Sequence, residues 1–330
     1  MYKIVNLSSK DLNAMCDLWN SERSKDGFYA LFTQEEFRCK YLENEDFSFD
    51  GVYGAYDGNT LIAYGIALLR KLFEGKEYGG YIHMILVKEE YRCQGIGSQI
   101  LAKLEEYLKA NGKKSASASY YLPLCFQWYI PGFDHHNHPC APGIRINSKE
   151  YFFLLHRGYE IAGQEDAFHL DLCNYEISDS IKSILDENAK DGITIELYDK
   201  NKHFGLDEFY KDLNIYDFEK VIKENLALEK PYPFLVVSDK GQIVGWTGAL
   251  WNEKSGRGHF DGIAILERVR GRGLGKALFS LLAYHSKLNG AKFMTFYTGL
   301  TNHARYIYMK AGFKIEQSYA LMRKKELKWK

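Results

Sequence analysis

Two short stretches of the 330-residue sequence repeat one arrangement of arginine and glycine, YRCQGIGSQIL at 91–101 and VRGRGLGKALF at 269–279. Each places an Arg, two residues, a Gly, one residue and a second Gly before an apolar pattern with helical spacing. Glycine lets backbone N–H groups approach a ligand closely, and a helix N-terminus attracts anions. The arrangement therefore predicts two loops that bind phosphate groups.

Two common nucleotide-binding motifs do not fit the spacing of these glycines. A dinucleotide fingerprint needs Gly or Ala three residues after the second glycine, where this sequence has Ile100 and Lys276. A Walker loop needs four residues before its Gly-Lys-Ser/Thr, whereas GRGLGKA supplies three and then Ala277. The loops are therefore strand-to-helix turns of another kind.

The elements around the two loops follow the same order. A hairpin pattern comes first in each copy, with turns predicted at 57–59 and 239–241. A strand, the glycine loop and an amphipathic helix follow, and the helix is predicted to end at Gly112 or Gly290. A strand, a helix and a final strand close each copy. The sequence thus contains an internal duplication.

The duplication has a period of about 178 residues, measured from Arg92 to Arg270. Together with the chain length, it predicts two domains. We expect an N-terminal domain at 1–174, a polar linker helix at 175–191 and a C-terminal domain at 192–330.

The first copy carries an insertion near 122–147, since 61 residues separate Gly97 from Gly158 and only 37 separate Gly275 from Gly312. Its prolines and glycines predict a loop, which would serve as a lid, a wall of a substrate site or a packing segment. Trp128, Tyr129 and Phe133 could form a recognition surface there. The loop's metal-capable residues match no zinc spacing, so no metal is expected; they are Cys125, His135, His136, His138 and Cys140.

Composition limits the classes of function. Lys and Arg number 43 and Asp and Glu also number 43, so no net charge favours nucleic acid or an anionic membrane. No signal peptide and no apolar run of about 20 residues is present, which predicts a soluble cytoplasmic protein. The six cysteines are expected to be reduced thiols.

The doubled loop and its surroundings resemble the GNAT superfamily (GCN5-related N-acetyltransferases), whose signature is Arg/Gln-x-x-Gly-x-Gly/Ala. The tandem arrangement is similar to that of mycothiol synthases. The resemblance covers nearly the whole chain, most specifically 81–112 and 259–313. It implies an α/β protein with two tandem GNAT folds, each a mixed central sheet flanked by helices. It also implies acetyl-CoA as cosubstrate, with its pyrophosphate held by the loop.

Local charge predicts that the second loop binds the cosubstrate more tightly. Its window, 268–276, holds Arg268, Arg270, Arg272 and Lys276, whereas the matching window has only Arg92, opposed by Glu90. The cofactor-binding residues implied by the resemblance are Ile265, Arg270, Gly271, Arg272, Gly273, Leu274, Gly275, Lys276 and Asn302 in the second copy, with Arg92, Gly95 and Gly97 in the first.

The resemblance also implies an acid for the leaving thiolate, a Tyr four residues before the Gly that ends the last helix. This position is Tyr308 in the second copy and Leu154 in the first. Asn302 lies six residues before Tyr308, where family members often have an Asn at seven, so we expect the start of this helix to depart from the family pattern. For the base, alternate residues of the preceding strand point to Asp261 first and His259 second.

These residues predict an acetyl-CoA-dependent N-acetyltransferase in which a primary amine attacks directly, with a catalytic C-terminal half and a degenerate N-terminal half. A small-molecule or peptide amine acceptor and a monomer or homodimer are expected. Two alternatives stay open: a non-catalytic acyl-CoA-binding or sensing protein, and an aminoacyl-tRNA-dependent peptidyltransferase with the same doubled fold. Intact loops without basic excess argue against the latter, and the retained Tyr308 argues against the former.

Overall fold

The computed structural model describes residues 2–118 and 124–327. The chain divides into two compact units, of which the first comprises Met1–Ala167 with Gln317–Lys330 and the second comprises Phe168–Glu316. This division differs from the predicted domains because the end of the chain, expected in the C-terminal domain, belongs to the first unit. The helix expected between the domains is Asp179–Lys190, and it lies within the second unit.

Outside the insertion at 122–147, strands and helices follow one another in the first unit in the order that the sequence predicts. They are β1 (Lys3–Asn6), α1 (Leu12–Arg23), α2 (Gln34–Leu42), β2 (Val52–Asp57), β3 (Thr60–Leu69), β4 (Gly80–Val87), α3 (Ile96–Ala110), β5 (Ala116–Ala118), β6 (Trp128–Tyr129), β7 (Asn137–His138), β8 (Ile144–Arg145), α4 (Lys149–His156) and β9 (Glu160–Asp171).

The second unit begins within β9 and ends within the last strand of the chain. Its remaining elements are α5 (Asp179–Lys190), β10 (Ile193–Leu197), α6 (Leu206–Leu213), α7 (Tyr216–Leu226), β11 (Leu235–Asp239), β12 (Gln242–Gly248), β13 (Arg257–Gly258), β14 (Gly262–Ile265), α8 (Leu274–Leu288), β15 (Phe293–Gly299), α9 (Arg305–Lys310) and β16 (Lys314–Lys324).

The sheet of the first unit mixes antiparallel and parallel pairs. β1 to β4 form an antiparallel meander, and β5 joins β4 in parallel. The end of β16 pairs antiparallel with β5, where Met322 lies opposite Ala118, and also with β8. Thus the last strand of the chain completes the sheet of the first unit.

In the second unit, β10, β11, β12 and β14 form an antiparallel sheet, while β15 pairs in parallel with the short β13. The predicted hairpin turns are confirmed: Asp57 pairs with Thr60, and Asp239 pairs with Gln242. Lys240 and Gly241 both have positive φ, at 50° and 90°, as a two-residue hairpin turn of this hand requires.

The two amphipathic helices end as the sequence predicts. Gly112 after α3 and Gly290 after α8 adopt φ of 74° and 91°, in the left-handed region that lets the last carbonyls find donors. One face of each helix covers its sheet, with Leu104 and Leu108 fully buried in α3 and Leu278 and Leu282 fully buried in α8. This packing fixes the glycine loop at the start of each helix.

The insertion is more ordered than the predicted loop. Its described part, from Leu124 onward, contains the small hairpin β6–β7 and the strand β8, whereas its first two residues lie outside the described residues. Trp128 is fully buried and stacks on Phe28, so it offers no recognition surface, although Tyr129 is partly exposed. The expectation of six reduced cysteines is also wrong for one pair, because Cys125 and Cys140 form a disulfide.

No helix in the described ranges is both long enough and apolar enough to cross a membrane.

Candidate functional site

The two glycine loops share one backbone geometry. Gly273 begins α8 with φ of 77°, and its counterpart Gly95 begins α3 with φ of 83°. Within the described residues, none of the amide N–H groups from 271 to 275 donates to a protein acceptor, and the same holds for 93 to 97. Five unpaired donors at a helix N-terminus form a site for an anion such as a pyrophosphate.

One residue of the first loop is not a glycine although the matching residue of the second loop is. Cys93 occupies the position of Gly271, and it keeps the left-handed backbone at φ of 60°, compared with 83° for the glycine. A side chain in this region is strained, by roughly 1 kcal/mol. The first loop therefore has the same backbone shape as the second, although this shape strains Cys93.

The arginine that opens each loop folds back onto the preceding strand. Arg270 Nε donates to the carbonyl of Ile265 at 3.1 Å, and Arg92 Nε donates to the carbonyl of Val87 at 2.9 Å. This bond fixes the distance between strand and loop. It also leaves the terminal nitrogens of Arg270 facing outward from an exposed residue, where they can contact a phosphate.

The other cations of the second loop are also at the surface. Arg272 pairs with Asp191 at 2.6 Å, and both side chains are largely exposed. Lys276 and Arg268 are exposed as well. The loop thus keeps the positive charge that the sequence predicted, with one cation partly neutralised by Asp191.

The first loop borders a cavity of about 690 Å³. Here Arg92 is bound to Glu22, which is almost completely buried and also bonds Lys25 at 2.6 Å. The cavity gains cations from other elements of the first unit, and four carboxylates, Glu22, Asp26, Glu89 and Glu150, line it as well. These added cations are Arg23, Lys25, Arg145, Lys149 and Arg157.

In the second unit, two strands separate in front of the loop. β15 pairs with β13 at Arg257 and Gly258, but beyond them β14 pairs with β12 alone, and no described pairing joins β14 to β15. The separation opens a gap beside the residues that follow Gly258. A slender chain attached to a phosphate group at the loop could enter this gap.

A backbone donor faces the gap. Leu266 N–H donates to the carbonyl of Val244 at 2.9 Å, and Ile265 lies opposite Gly245. Because donors alternate sides along an antiparallel strand, the N–H of Ile265 points away from β12, toward the side that β15 has left. Ile265 can therefore donate a hydrogen bond to a carbonyl group in the gap.

Tyr308 lies on α9 within a cluster of aromatic rings. Its ring centroid is 4.6 Å from those of Phe279 and Phe296, and Phe260 and Phe168 complete the surroundings. Burial raises the pKa of Tyr308 to about 12, so the phenol is protonated at neutral pH. Within the described residues its hydroxyl forms no hydrogen bond, and it is not among the fully buried polar atoms. It is thus a proton donor without a partner.

The corresponding position of the first unit has no such donor. Leu154 on α4 is buried, and the cavity that it lines with Phe153 and Met84 measures only about 30 Å³. A hydrocarbon side chain cannot protonate a leaving group. At this position the first unit therefore has no counterpart of the Tyr308 hydroxyl.

His259 and Asp261 form a hydrogen-bonded pair before β14. His259 Nε2 lies 2.5 Å from Asp261 Oδ1, and Asp261 Oδ2 accepts from the N–H of Ala249 at 2.9 Å. In the neutral tautomer that donates from Nε2 to this carboxylate, Nδ1 carries the lone pair. This Nδ1 is buried and has no partner among the described residues. The pair has the arrangement of a base and the group that orients it.

The pair and Tyr308 lie on opposite faces of the same strand. Side chains alternate along an extended segment, and Phe260, between the two residues, packs toward Phe279 and Tyr308. His259 and Asp261 therefore point to the other face. The gap between the separated strands lies beside the segment that carries the pair.

The side chain of Asn302 forms hydrogen bonds with nearby residues of the chain. Its side chain donates to Thr298 Oγ1 at 2.7 Å and accepts from the N–H of Ala304 at 3.0 Å. These bonds shape the turn before α9. The helix begins at Arg305, three residues after Asn302. Both polar groups of the Asn302 side chain are thus engaged within the turn before α9.

The described part of the insertion contains several residues of metal-binding type. Among residues 2–118 and 124–327, no group of three or more His, Cys, Asp or Glu is placed to hold a metal ion. Cys125 and Cys140 are joined to each other, and His138 Nδ1 accepts from the N–H of Cys140 at 3.1 Å.

Sequence reasoning missed three residues beside His259. Trp251 stacks on the imidazole with ring centroids 4.2 Å apart, and Tyr232 lies 6.0 Å from Trp251. Asn225 holds the backbone of Tyr232 by two hydrogen bonds, of 2.9 and 3.0 Å. A tyrosine between two prolines, in the Pro-Tyr-Pro run at 231–233, was the available signal.

Comparison with known proteins agrees with this architecture. Residues 12–120 and 197–313 each match the model of the acetyltransferase (GNAT) family, and together they span more than half of the sequence. The chain therefore belongs to the GNAT family. It is an α/β protein with two tandem GNAT regions.

Solved structures with the same fold include a GCN5-related N-acetyltransferase from Sphaerobacter thermophilus, 18% identical with a TM-score of 0.59, covering 99% of this chain and 96% of that one. A tandem GNAT protein from the clavulanic acid biosynthesis pathway is 12% identical with a TM-score of 0.56 and full coverage of both chains.

The glucosamine N-acetyltransferase region of a fungal multi-domain β-N-acetylglucosaminidase is 14% identical, with a TM-score of 0.60. The match covers 98% of this chain but only 38% of that protein. No curated protein sequence matches the chain significantly.

Proposed function

We propose that the chain is an acetyl-CoA-dependent N-acetyltransferase whose second unit transfers an acetyl group to a primary amine. The observation that carries this proposal is the presence, in one unit, of two proton-transfer atoms without partners, Tyr308 Oη and His259 Nδ1. Family membership supports acyl transfer in general, and these two atoms support direct attack by an amine.

The residues of the second loop fit the phosphate groups of coenzyme A. Five unpaired amides, the outward nitrogens of Arg270 and the exposed Lys276 supply donors and charge. A Cβ at Gly275 would lie 3.1 Å from Ile307, so the helix start is packed as closely as a glycine allows. Acetyl-CoA would supply an activated thioester at this site.

The protein's own groups would then move two protons. Nδ1 of His259 accepts a proton from the attacking amine, while Asp261 stabilises the resulting imidazolium through Nε2. Tyr308 Oη donates a proton to the sulfur as the carbon–sulfur bond breaks. The N–H of Ile265 stabilises negative charge on the acyl oxygen. His259 thus replaces Asp261 as our first choice of base, with Asp261 as its orienting partner.

The first unit, in this proposal, is a scaffold or regulator rather than a second catalyst. Leu154 cannot donate a proton, and Arg92 is occupied by Glu22. We propose a small-molecule or peptide amine as acceptor.

The test measures thiol release from acetyl-CoA in the presence of a panel of primary amines. We expect turnover with at least one amine, and a loss of about 10²-fold in kcat for His259→Ala with unchanged acetyl-CoA affinity. Added imidazole should restore part of the rate.

Acetyl-CoA binding by calorimetry without turnover of any amine would favour the acyl-CoA-binding alternative. Transfer from aminoacyl-tRNA, with no response to acetyl-CoA, would favour the peptidyltransferase.

A further inference from the structure

Three rings form a stack that runs from the surface of the second unit to the His259–Asp261 pair. We name this stack, made of Tyr232, Trp251 and His259, the aromatic ladder. The centroid distances along it are 6.0 Å from Tyr232 to Trp251 and 4.2 Å from Trp251 to His259, with interplanar angles of 31° and 23°. Tyr232 is 46% exposed, so the ladder begins in solvent.

The ladder lies at the end of β14 opposite to the glycine loop. The C-terminal end of β14 leads from Ile265 toward the loop, whereas His259 precedes the N-terminal end. Trp251 follows β12, whose last residue pairs with the first residue of β14, and His259 N–H donates to the Trp251 carbonyl at 2.9 Å. A second substrate arriving from this end would not compete with a cofactor held by the loop.

The outer ring of the ladder is held in place. The side chain of Asn225, itself buried, accepts from the N–H of Tyr232 and donates to its carbonyl. Pro231 and Pro233 restrict the backbone on either side. An exposed aromatic side chain on a fixed backbone loses little conformational entropy when a ligand packs on it.

Charge at the inner end of the ladder favours a cation. Asp261 carries the carboxylate, and the buried Nδ1 of His259 has no partner among the described residues. Arg257, two residues before His259, cannot bind an acceptor carboxylate, because Glu253 and the carbonyl of Thr295 occupy its guanidinium. The site therefore suits an amine that lacks a neighbouring carboxylate.

We propose that the acceptor is an arylalkyl primary amine, with its aromatic ring on Tyr232 and Trp251 and its ammonium at the His259–Asp261 pair. This inference rests on the proposed function. Aromatic faces bind a flat π system and a nearby cation better than a saturated ring of the same size.

The experiment compares 2-phenylethylamine with 2-cyclohexylethylamine, which has a saturated ring of similar size, in the acetyl-CoA assay. We expect a kcat/KM for the aromatic amine about three- to tenfold higher. Tyr232→Leu should remove this preference by raising KM for 2-phenylethylamine. Tyr216→Leu, which changes a tyrosine that is 75% exposed and outside the ladder, is the matched control and should keep it.

Equal kcat/KM for the two amines, or an unchanged preference in Tyr232→Leu, would overturn the inference. Calorimetry with 2-phenylethylamine in the absence of acetyl-CoA separates this inference from the proposed function. If that binding is present and depends on Tyr232 while no amine is acetylated, the ladder stands as a binding site and the acyl-transfer proposal fails. If aliphatic amines alone were acetylated, the acyl-transfer proposal would stand and the inference of an arylalkyl acceptor would fail.

Discussion

Tyr308 is the residue whose surroundings bear most directly on chemistry. Phenylalanine rings enclose it on α9 and raise its pKa to about 12, yet its hydroxyl has no protein partner among the described residues. The ring is buried, whereas the hydroxyl is not among the buried polar atoms that lack a partner, so it can still be reached from outside. A ligand atom at this position could accept the hydrogen bond that the phenol donates.

Replacing Tyr308 by Phe should lower kcat by about 10²-fold and leave acetyl-CoA affinity nearly unchanged, because only protonation of the leaving thiol is lost. Single-turnover rates and calorimetry measure the two effects separately. Since the phenol remains neutral below its pKa of about 12, the wild type should show no loss of this acid up to about pH 10. An unchanged rate where chemistry is limiting would contradict the acid role.

The catalytic candidates differ in how far the sequence could predict them. Tyr308 follows from its fixed spacing to Gly312, a local relationship that a motif preserves. The choice of base between His259 and Asp261 does not follow from the sequence, because strand alternation places both side chains on one face. Only the structure shows which atom has no partner. The ladder could not be predicted, since Tyr232 and Trp251 meet through the fold rather than through spacing.

At the scale of elements, the two glycine loops are alike in backbone and different in charge. Arg270 faces solvent beyond its bond to Ile265, whereas Arg92 is bound to the buried carboxylate of Glu22. The repeat predicted the shape of both loops because it depends on adjacent residues. The sequence could not predict that α1 supplies Glu22 to the first loop, since 70 residues separate Glu22 from Arg92.

We expect Arg270→Ala combined with Arg272→Ala to weaken acetyl-CoA binding by at least about tenfold, because each lost cation removes a charge-assisted hydrogen bond. Asp191→Asn, which frees Arg272 from its ion pair, should strengthen binding slightly and is the matched control. Calorimetry measures both.

For the first loop, Arg157→Ala is the cleaner variant, because Arg92→Ala would leave Glu22 buried without its arginine. If Arg157→Ala, and not the double variant, abolished the tighter binding, the assignment of the tighter site to the second unit would be reversed.

The matching positions Gly271 and Cys93 allow a paired test of backbone strain. Gly271→Ala should destabilise the protein by roughly 1 kcal/mol, since no atom lies within 4 Å of the added Cβ and only the positive φ opposes it. Cys93→Gly should stabilise it by a similar amount. Urea denaturation measures the free energy of unfolding, and shifts of equal sign for the two variants would contradict the strain argument.

At the scale of the whole molecule, the duplication predicts two folds but not where each one ends. The sequence assigned 192–330 to the second fold, because each copy closes with a strand after a Gly-aromatic pair. In the structure the end of β16 pairs with β5, and Tyr319, Ala320 and Met322 are buried within the first unit. The pattern shows that a strand exists, but pairing partners are chosen by packing that no local pattern records.

This assignment predicts that the stability of the first unit depends on the last residues of the chain. Met322→Ala should lower the free energy of unfolding by about 2–5 kcal/mol, because it deletes a buried side chain between packed neighbours. Ile315→Ala, in the part of β16 that belongs to the second unit, removes a side chain that is 40% exposed and is the matched control. Its cost should be below about 1 kcal/mol.

Hydrogen exchange measured by mass spectrometry locates the effect of these substitutions. In Met322→Ala we expect faster exchange in β4 and β5, which are joined in parallel and bordered by β16, while β10 to β12 keep wild-type protection. The physical reason is that an amide opens with the unit that holds it, and Met322 lies in the first unit, opposite Ala118 of β5. Equal loss of protection in β10 to β12 would mean that the two units unfold together, and the last strand would then stabilise the whole chain rather than the first unit.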